Sequence, residues 1–233
     1  MFMKKNVQSR GEKRRQALLS AARTVMREGG FRELQMATVA AAAKVAVGTI
    51  YRYFPSKAEL CAELVATVSQ RELDVLREIA QSDGSAAERL RAGVESFAAR
   101  AFRSGRVAYA VIAEPVDPEV EDVRLRYRAE IARVFRALLE ERDGALACDD
   151  PDTASVCIVG AMLEGAIGPL SPDQEAGAAE IATAVRQIGA FCLGGVAARG
   201  GDVIEFQKHG QKHGQRHGQK HGQGHGTGGI SDG

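Results

Sequence analysis

The first 206 residues contain no histidine; all five (His209, His213, His217, His221 and His225) lie in the C-terminal tail. A body without histidine holds no Ser-His-Asp triad, no Cys-His pair and no His-based metal site. Carboxylate-only or lysine-based chemistry has no motif behind it either, so no enzyme and no cofactor is expected. Cysteine is sparse. Cys61, Cys148, Cys157 and Cys192 are scattered and form no C-x-x-C. They read as reduced, mostly buried thiols rather than a disulfide frame or zinc site, with redox sensing by one of them as the lesser reading. No uncharged apolar run approaches the ~18–20 residues of a membrane span. Among the longest, the 11-residue stretch Thr153 to Leu163 suits a buried helix. Met1-Phe2-Met3-Lys4-Lys5 is followed by polar residues, which leaves no signal-peptide apolar region. A cytoplasmic protein without a membrane partner is expected. One G-x-G-x-x-G match, Gly224 to Gly229, has neither a strand before it nor a helix after it, and is set aside. β-Branched alternation never persists, so no sheet is expected.

The formal net charge of +1 hides a strong asymmetry. Residues 1–57 carry a net +9, residues 58–206 a net −11, and residues 207–233 a net +3. A basic block that also has the pattern of a fold suggests a polyanion surface, most often nucleic acid; the plainer alternative is a solvated charged face.

Helical spacing runs through the body. Ser9-Arg10-Gly11-Glu12 forms an S-x-x-E capping box. After it, Ala17, Leu18, Ala21, Ala22, Val25 and Met26 recur at helical spacing until Gly29-Gly30, with Arg14, Arg15, Arg23 and Arg27 on a basic outer face. A short Ala-rich helix is predicted over about 35–43, a break at Lys44-Val45, and a second short helix over about 46–54 ended by Pro55. Ser56-Lys57-Ala58-Glu59 opens a long helix to about Ala80. Further helices are predicted over about 85–103 and 107–113. Asp117-Pro118, Asp150-Pro151 and Ser171-Pro172 place a capping residue before a proline at the first helical position. The helices they open are predicted to end near Arg142, Gly168 and Ala198.

Two short helices joined by a tight turn in the basic segment fit a helix-turn-helix. In the second, Val45, Ile50 and Phe54 share one face, while Ala46, Thr49, Arg52 and Tyr53 share the other. Small residues at its start (Ala46, Val47, Gly48) would let the backbone approach a major groove. Tyr51, Tyr53, Lys57 and the free N–H groups of the following helix can serve phosphates. The stretch from Val39 to Lys57, with its core Gly48-Thr49-Ile50-Tyr51-Arg52-Tyr53-Phe54-Pro55-Ser56-Lys57, resembles the signature of the TetR family of transcriptional regulators. Glu28-Gly29-Gly30-Phe31 resembles the exit of that family's first helix, and the resemblance covers roughly residues 12–65. It implies an all-α protein: a three-helix DNA-binding domain (residues 1–57), then a helical ligand-binding and dimerisation domain (58–206). It implies DNA contacts at Gly48, Thr49, Tyr51, Arg52, Tyr53 and Lys57. Thr49 and Arg52 are assigned to base reading, and Tyr51, Tyr53 and Lys57 to the backbone. The alternative reading of Tyr53 is a partly buried packing tyrosine. Three positions depart from the pattern. Lys44 replaces the usual turn glycine, at roughly 1 kcal/mol if its φ is positive, although its charge can reach a phosphate. Ala46 replaces a capping serine, and Gln35 stands where threonine is common. Lys44 and Gln35 complete the candidate DNA-binding set.

The C-terminal half resembles the family in architecture only. Its last two helices are rich in small residues (Gly160, Ala161, Gly165, Ala166; Ala182, Gly189, Ala190, Gly194, Gly195), which allow close helix approach. The resemblance implies a four-helix homodimer bundle there; loose intramolecular packing is the alternative. Candidate pocket residues are Phe97, Phe102, Tyr109, Phe135 and Met162, each of which is otherwise core, and they hint at an apolar or aromatic effector. Glu164 interrupts an uncharged stretch and is surface-exposed, interface-paired or a ligand contact. Ile112 to Pro118 reads only as a rigid turn. The tail from Gln207 repeats Lys/Arg-His-Gly-Gln and reads as disordered (207–233). Its His209, His213, His217 and His221 could chelate a metal, and its cations could attract DNA weakly. Two functions follow. One is a repressor-like regulator, with partners double-stranded palindromic operator DNA, a second copy and a small effector. The other is a metal-binding or metal-responsive protein acting through the tail.

Overall fold

The computed structural model describes residues 10–141, 146–173 and 176–197. Ser9, the expected helix ends at Arg142 and Ala198, and the whole histidine tail lie outside them. The described chain forms nine α-helices and no strand; its only β feature is an isolated bridge between Leu146 and Ala197. The fold is all-α.

The first helix, α1 (Arg10–Glu33), buries Leu18, Leu19, Ala22, Val25 and Met26 along one stripe. It breaks at Gly30, whose φ of 70° and ψ of −158° only glycine adopts readily. The glycine pair therefore marks a kink, after which one further turn carries Phe31 into the core. α2 (Met36–Ala42) and α3 (Val47–Tyr51) follow. The latter is shorter than its sequence suggests. The N–H groups of Tyr53 and Phe54 both turn back to the carbonyl of Ile50, and Pro55 disfavours helical backbone before it. α4 (Lys57–Ala80) begins as expected: Ser56 Oγ accepts from the Glu59 N–H at 3.0 Å.

The body comprises α5 (Ala86–Ser104), α6 (Arg106–Ala113), α7 (Pro118–Glu140), α8 (Pro151–Leu170) and α9 (Ala178–Gly194). Asp150 caps α8 by accepting from the Thr153 N–H at 3.1 Å, whereas Asp117 makes no side-chain cap on α7. The expected start at Ser171-Pro172 is corrected. Ser171 is the C-cap of α8, and the next helix begins at Ala178, where the Glu180 carboxylate accepts from the Gly177 N–H at 2.9 Å. Proline just beyond a C-cap ends a helix as readily as it starts one.

Two apolar clusters form the interior. One joins α1 to α4 with Val107, Ala110, Val120 and Val123 from α6 and α7; the other packs α4, α5, α7, α8 and α9. α8 is the one described helix long and apolar enough to cross a membrane by composition. Ile158, Val159, Met162, Leu163 and Ala166 bury one of its faces in the second cluster, and Asp152 and Glu164 interrupt its apolar run. The cysteines are free, but only Cys61 and Cys192 are buried, and burial pushes both thiols up to about 11. Cys148 is half-buried and Cys157 exposed, because Cys157 falls on the outward face of α8.

Candidate nucleic-acid interface and effector cavity

The turn between α2 and α3 closes α2 with paired backbone bonds. The Lys44 N–H donates to Ala41 O at 3.1 Å, and the Val45 N–H to Ala40 O at 3.0 Å. This is a Schellman closure, which needs a left-handed residue at Lys44. Its φ is 56°, the one positive φ outside glycine among the described residues. The chain accepts lysine where glycine is cheaper, and that side chain is exposed. Ala46 is the N-cap of α3 without a side-chain cap bond.

Behind α3, Ile50 and Phe54 are fully buried and Val45 is half-buried. In front, Gly48, Tyr51 and Arg52 are exposed and Thr49 is half-exposed. No heavy atom lies within 4 Å of where a Cβ on Gly48 would stand. Tyr53 packs partly against the core, with the Arg52 guanidinium 5.7 Å from its ring centre. Lys57 is half-buried at the start of α4. Gln35 caps nothing with its side chain; its Nε2 donates to Arg32 O at 3.1 Å.

The expected basic face of α1 is corrected at two of its four positions. Arg15 donates through Nε to Glu63 at 2.6 Å and through Nη1 to Tyr53 O at 2.8 Å, and lies over the Phe54 ring at 4.5 Å. It ties α1 to α4 and to the exit of α3. Arg23 points toward α4 and α5, and its Nε is buried without a partner. Arg14 and Arg27 are exposed.

In the body, α4 to α8 enclose a cavity of about 70 Å³. Val68, Phe97, Ala101, Ala108, Ile131 and Leu163 make its apolar wall; Glu72, Arg124, Tyr127 and Arg128 add polar groups. Of the sequence candidates, Phe97 lines it. Phe135 and Met162 are buried core and stand outside it, while Phe102 and Tyr109 line surface clefts beside α1. Glu164 is exposed and away from the cavity.

Arg124, which sequence reasoning did not single out, is 6% exposed. Its Nη2 donates to Ala110 O at 2.6 Å and Glu114 O at 2.9 Å, and its Nη1 to Glu121 at 3.1 Å. Its Nε has no partner. Burial pulls this guanidinium below its ordinary value, against the pull of Glu121. It also lies 5.9 Å from the ring centre of Phe31, on the last turn of α1. Beside it, one Glu114 carboxylate oxygen accepts from the Phe31 N–H at 2.7 Å, and the other sits 2.6 Å from Arg106 Nη2, in an ion-pair contact not aligned as a hydrogen bond. Arg106 Nη2 also donates to Gly29 O at 3.3 Å. The segment read as a mere rigid turn therefore clamps the end of α1. Its only sequence signal was Gly30, since a Cβ there would overlap the Glu114 carboxylate.

Residues 18–64 match the family model described as bacterial regulatory proteins, tetR family. The chain is 43% identical over 60 residues to the HTH-type transcriptional repressor KstR of Rhodococcus jostii, covering 26% of this chain and 28% of that protein. It is 35% identical over 103 residues to KstR of Mycobacterium tuberculosis, covering 44% and 42%. The matched stretch thus spans less than half of either relative. Among solved structures, the transcriptional regulator FadR from Bacillus subtilis in complex with stearoyl-CoA superposes with a TM-score of 0.65 at 20% identity, over 78% of this chain and 98% of that one. The signature carried on α2, the turn and α3 thus lies within a segment, residues 18–64, that matches the tetR family of bacterial regulatory proteins, and the described body shares its fold with a solved transcriptional regulator.

Proposed function

We propose that this chain is a ligand-responsive transcriptional repressor of the cytoplasm, which binds double-stranded palindromic operator DNA as a homodimer and releases it when a small apolar or aromatic effector fills the cavity. The observation that carries the reading is α3. Ile50 and Phe54 fix it from behind at zero exposure, while Gly48, Thr49, Tyr51 and Arg52 face outward in a segment of net charge +9. Residues 1–57 act as the reading head. Thr49 and Arg52 read base edges, and Tyr51, Tyr53, Lys57, Lys44 and Gln35 position the backbone. Residues 58–206 hold effector and partner.

The outward faces of α8 and α9 support the dimer. Val156 at 62% and Phe191 at 73% are the most exposed large apolar side chains among the described residues. Gly160 and Gly194 open on empty space, whereas Gly165 and Gly189 are used inside the protomer, against Ile188 and Glu95. On this reading Gly160 and Gly194 serve the packing between copies, and Gly165 and Gly189 the packing within one. Glu164 shares the outward face and is assigned to the interface.

The effector response follows from α6. It walls the cavity with Ala108, Val111 and Ile112, and its C-terminal end holds Phe31 through Glu114. A ligand that spreads α6 from α7 favours a different setting of α1, and hence of the reading head. The test is binding of the full chain to DNA upstream of its own coding region across a salt series, against random DNA. Preferential dimeric binding that Arg52→Ala or Tyr51→Ala weakens, with helix content and dimer mass unchanged, is expected. Equal binding to both DNAs, or unfolding of those variants, would count against the assignment of α3.

A further inference from the structure

We infer that the cleft beside the effector cavity is a phosphate-binding mouth, and that the molecule this body accepts is amphipathic, an apolar tail joined to a phosphate-bearing head. The inference rests on the effector-cavity reading above and adds a charge to it.

Four arginines from three helices converge on a second cavity of about 170 Å³: Arg23 of α1, Arg71 of α4, and Arg100 and Arg103 of α5. The one carboxylate in its wall, Glu72, is already engaged, accepting from Arg100 Nε at 2.7 Å and Nη2 at 3.0 Å. Arg71 and Arg103 are exposed and make no ion pair with any described residue. Arg23 Nε is buried with no partner. Burial, then the nearby Arg71 and Arg27, pulls its guanidinium below the ordinary value. A folded chain gathers like charges only at a cost, and a buried, unpaired donor asks for an explanation. A bridging water can satisfy the Arg23 N–H but leaves the excess positive charge unanswered. A phosphate answers both, because the guanidinium fork matches its oxygens in pairs.

The two cavities share Val68, Glu72 and Ser104 in their walls. A tail lying along Phe97, Ala108 and Leu163 therefore has its head beside the arginines. The cluster uses no residue of α2 or α3, so a DNA phosphate is not its natural occupant. The same chemistry could come from a soluble acyl nucleotide or from a phospholipid headgroup.

The full chain is titrated by calorimetry with octanoyl-coenzyme A, octanoate and coenzyme A, and with phosphatidylglycerol vesicles. Octanoyl-coenzyme A is expected to bind at least about tenfold more tightly than octanoate or coenzyme A, and to weaken as salt is raised. The double variant R71Q/R103Q, which alters two exposed side chains, is expected to lose that preference while keeping octanoate affinity and melting temperature. Binding to vesicles that depends on Arg71 and Arg103, with none to octanoyl-coenzyme A, would place the phosphate on a lipid. Equal affinity for octanoyl-coenzyme A and octanoate, a preference untouched in the double variant, or no binding to either phosphate-bearing probe would overturn the mouth. The cavity reading is judged separately, by whether octanol or octanoate raises the melting temperature of the parent chain but not of Ala108→Leu.

Discussion

Replacing Gly30 by alanine tests the joint between α1 and α6. Two costs act together. The backbone at φ 70° and ψ −158° lies in a region that costs a residue with a Cβ about 1–3 kcal/mol. The new methyl would also occupy the place of the Glu114 carboxylate, which must swing away. That forfeits its charge-assisted bond from the Phe31 N–H, worth about 1.5–3 kcal/mol, and leaves Phe31 N without its partner. The side chain of Glu114 is only 12% exposed, so water replaces this bond poorly. Together these give a loss of about 3–5 kcal/mol, a fall in Tm of roughly 10 °C for a chain of this size. Urea unfolding followed by circular dichroism, at one fixed protomer concentration, measures it. The same substitution made in Glu114→Ala meets no carboxylate and is expected to cost only the backbone strain, about 1–3 kcal/mol. A loss under about 1 kcal/mol in the parent, or equal losses in both backgrounds, would refute the joint.

Gly48→Ala adds a methyl to open space within α3 and is expected to stabilise the fold by up to about 1 kcal/mol. It is also expected to cut operator affinity at least about tenfold, because the proposed interface has the bare backbone there approach the groove; melting and fluorescence anisotropy read the two effects, and unchanged DNA affinity would remove Gly48 from the interface. Lys44→Gly relieves the left-handed strain and is expected to raise stability by about 1 kcal/mol, and to lower the salt slope of DNA binding by about 1 if the lysine meets a phosphate. A thiol reagent at pH 8 is expected to modify Cys148 in the native protein and Cys157, on the α8 face assigned to the dimer, only as dilution frees that face, while Cys61 and Cys192, buried with thiols near 11, react only after unfolding. Fast reaction of all four in the native state would contradict the burial of α4 and α9. Thr153, through its hydroxyl and its N–H, holds the Asp150 carboxyl below the usual carboxylate range. The cap therefore contributes above the unfolded-state value and is lost as pH falls through the folded one; a pH series comparing Asp150→Asn with the parent checks the sign.

What the sequence made legible follows from how local each feature is. Ser56 and Asp150 announce helix starts because a cap needs only the residue and an N–H three positions on. Ile50 and Phe54 announce the buried face of α3 because helical spacing suffices to place them. Ser171-Pro172 misled because proline is compatible with both a start and a stop, and the choice lay with Glu180, beyond the proline. The wall of the cavity was largely illegible. Phe135 and Met162 differ from Phe97 only in which neighbours they meet, and that is set by helix crossings rather than by spacing. Arg23 and Arg15 looked like solvated residues on one face of α1, and the elements that cover them, α4 and α5, arrive from far along the chain.

The same non-locality decides what α6 joins. This helix of eight residues lines the cavity with Ala108, Val111 and Ile112, while Arg106 at its start and Glu114 just past its end both bond to α1. Arg124 reinforces both, because a single guanidinium lines the cavity, binds the carbonyls of Ala110 and Glu114, and lies near the ring of Phe31. A rigid element of this kind transmits displacement only if its ends are held more firmly than its middle. The ends are held by charge-assisted bonds, while the middle faces a cavity of about 70 Å³, where packing is incomplete. On the proposed reading, a ligand entering there would gain contacts by moving α6 rather than by breaking its ends. The movement would then reach α1 at Gly30, the one residue in that helix whose backbone already departs from helical geometry.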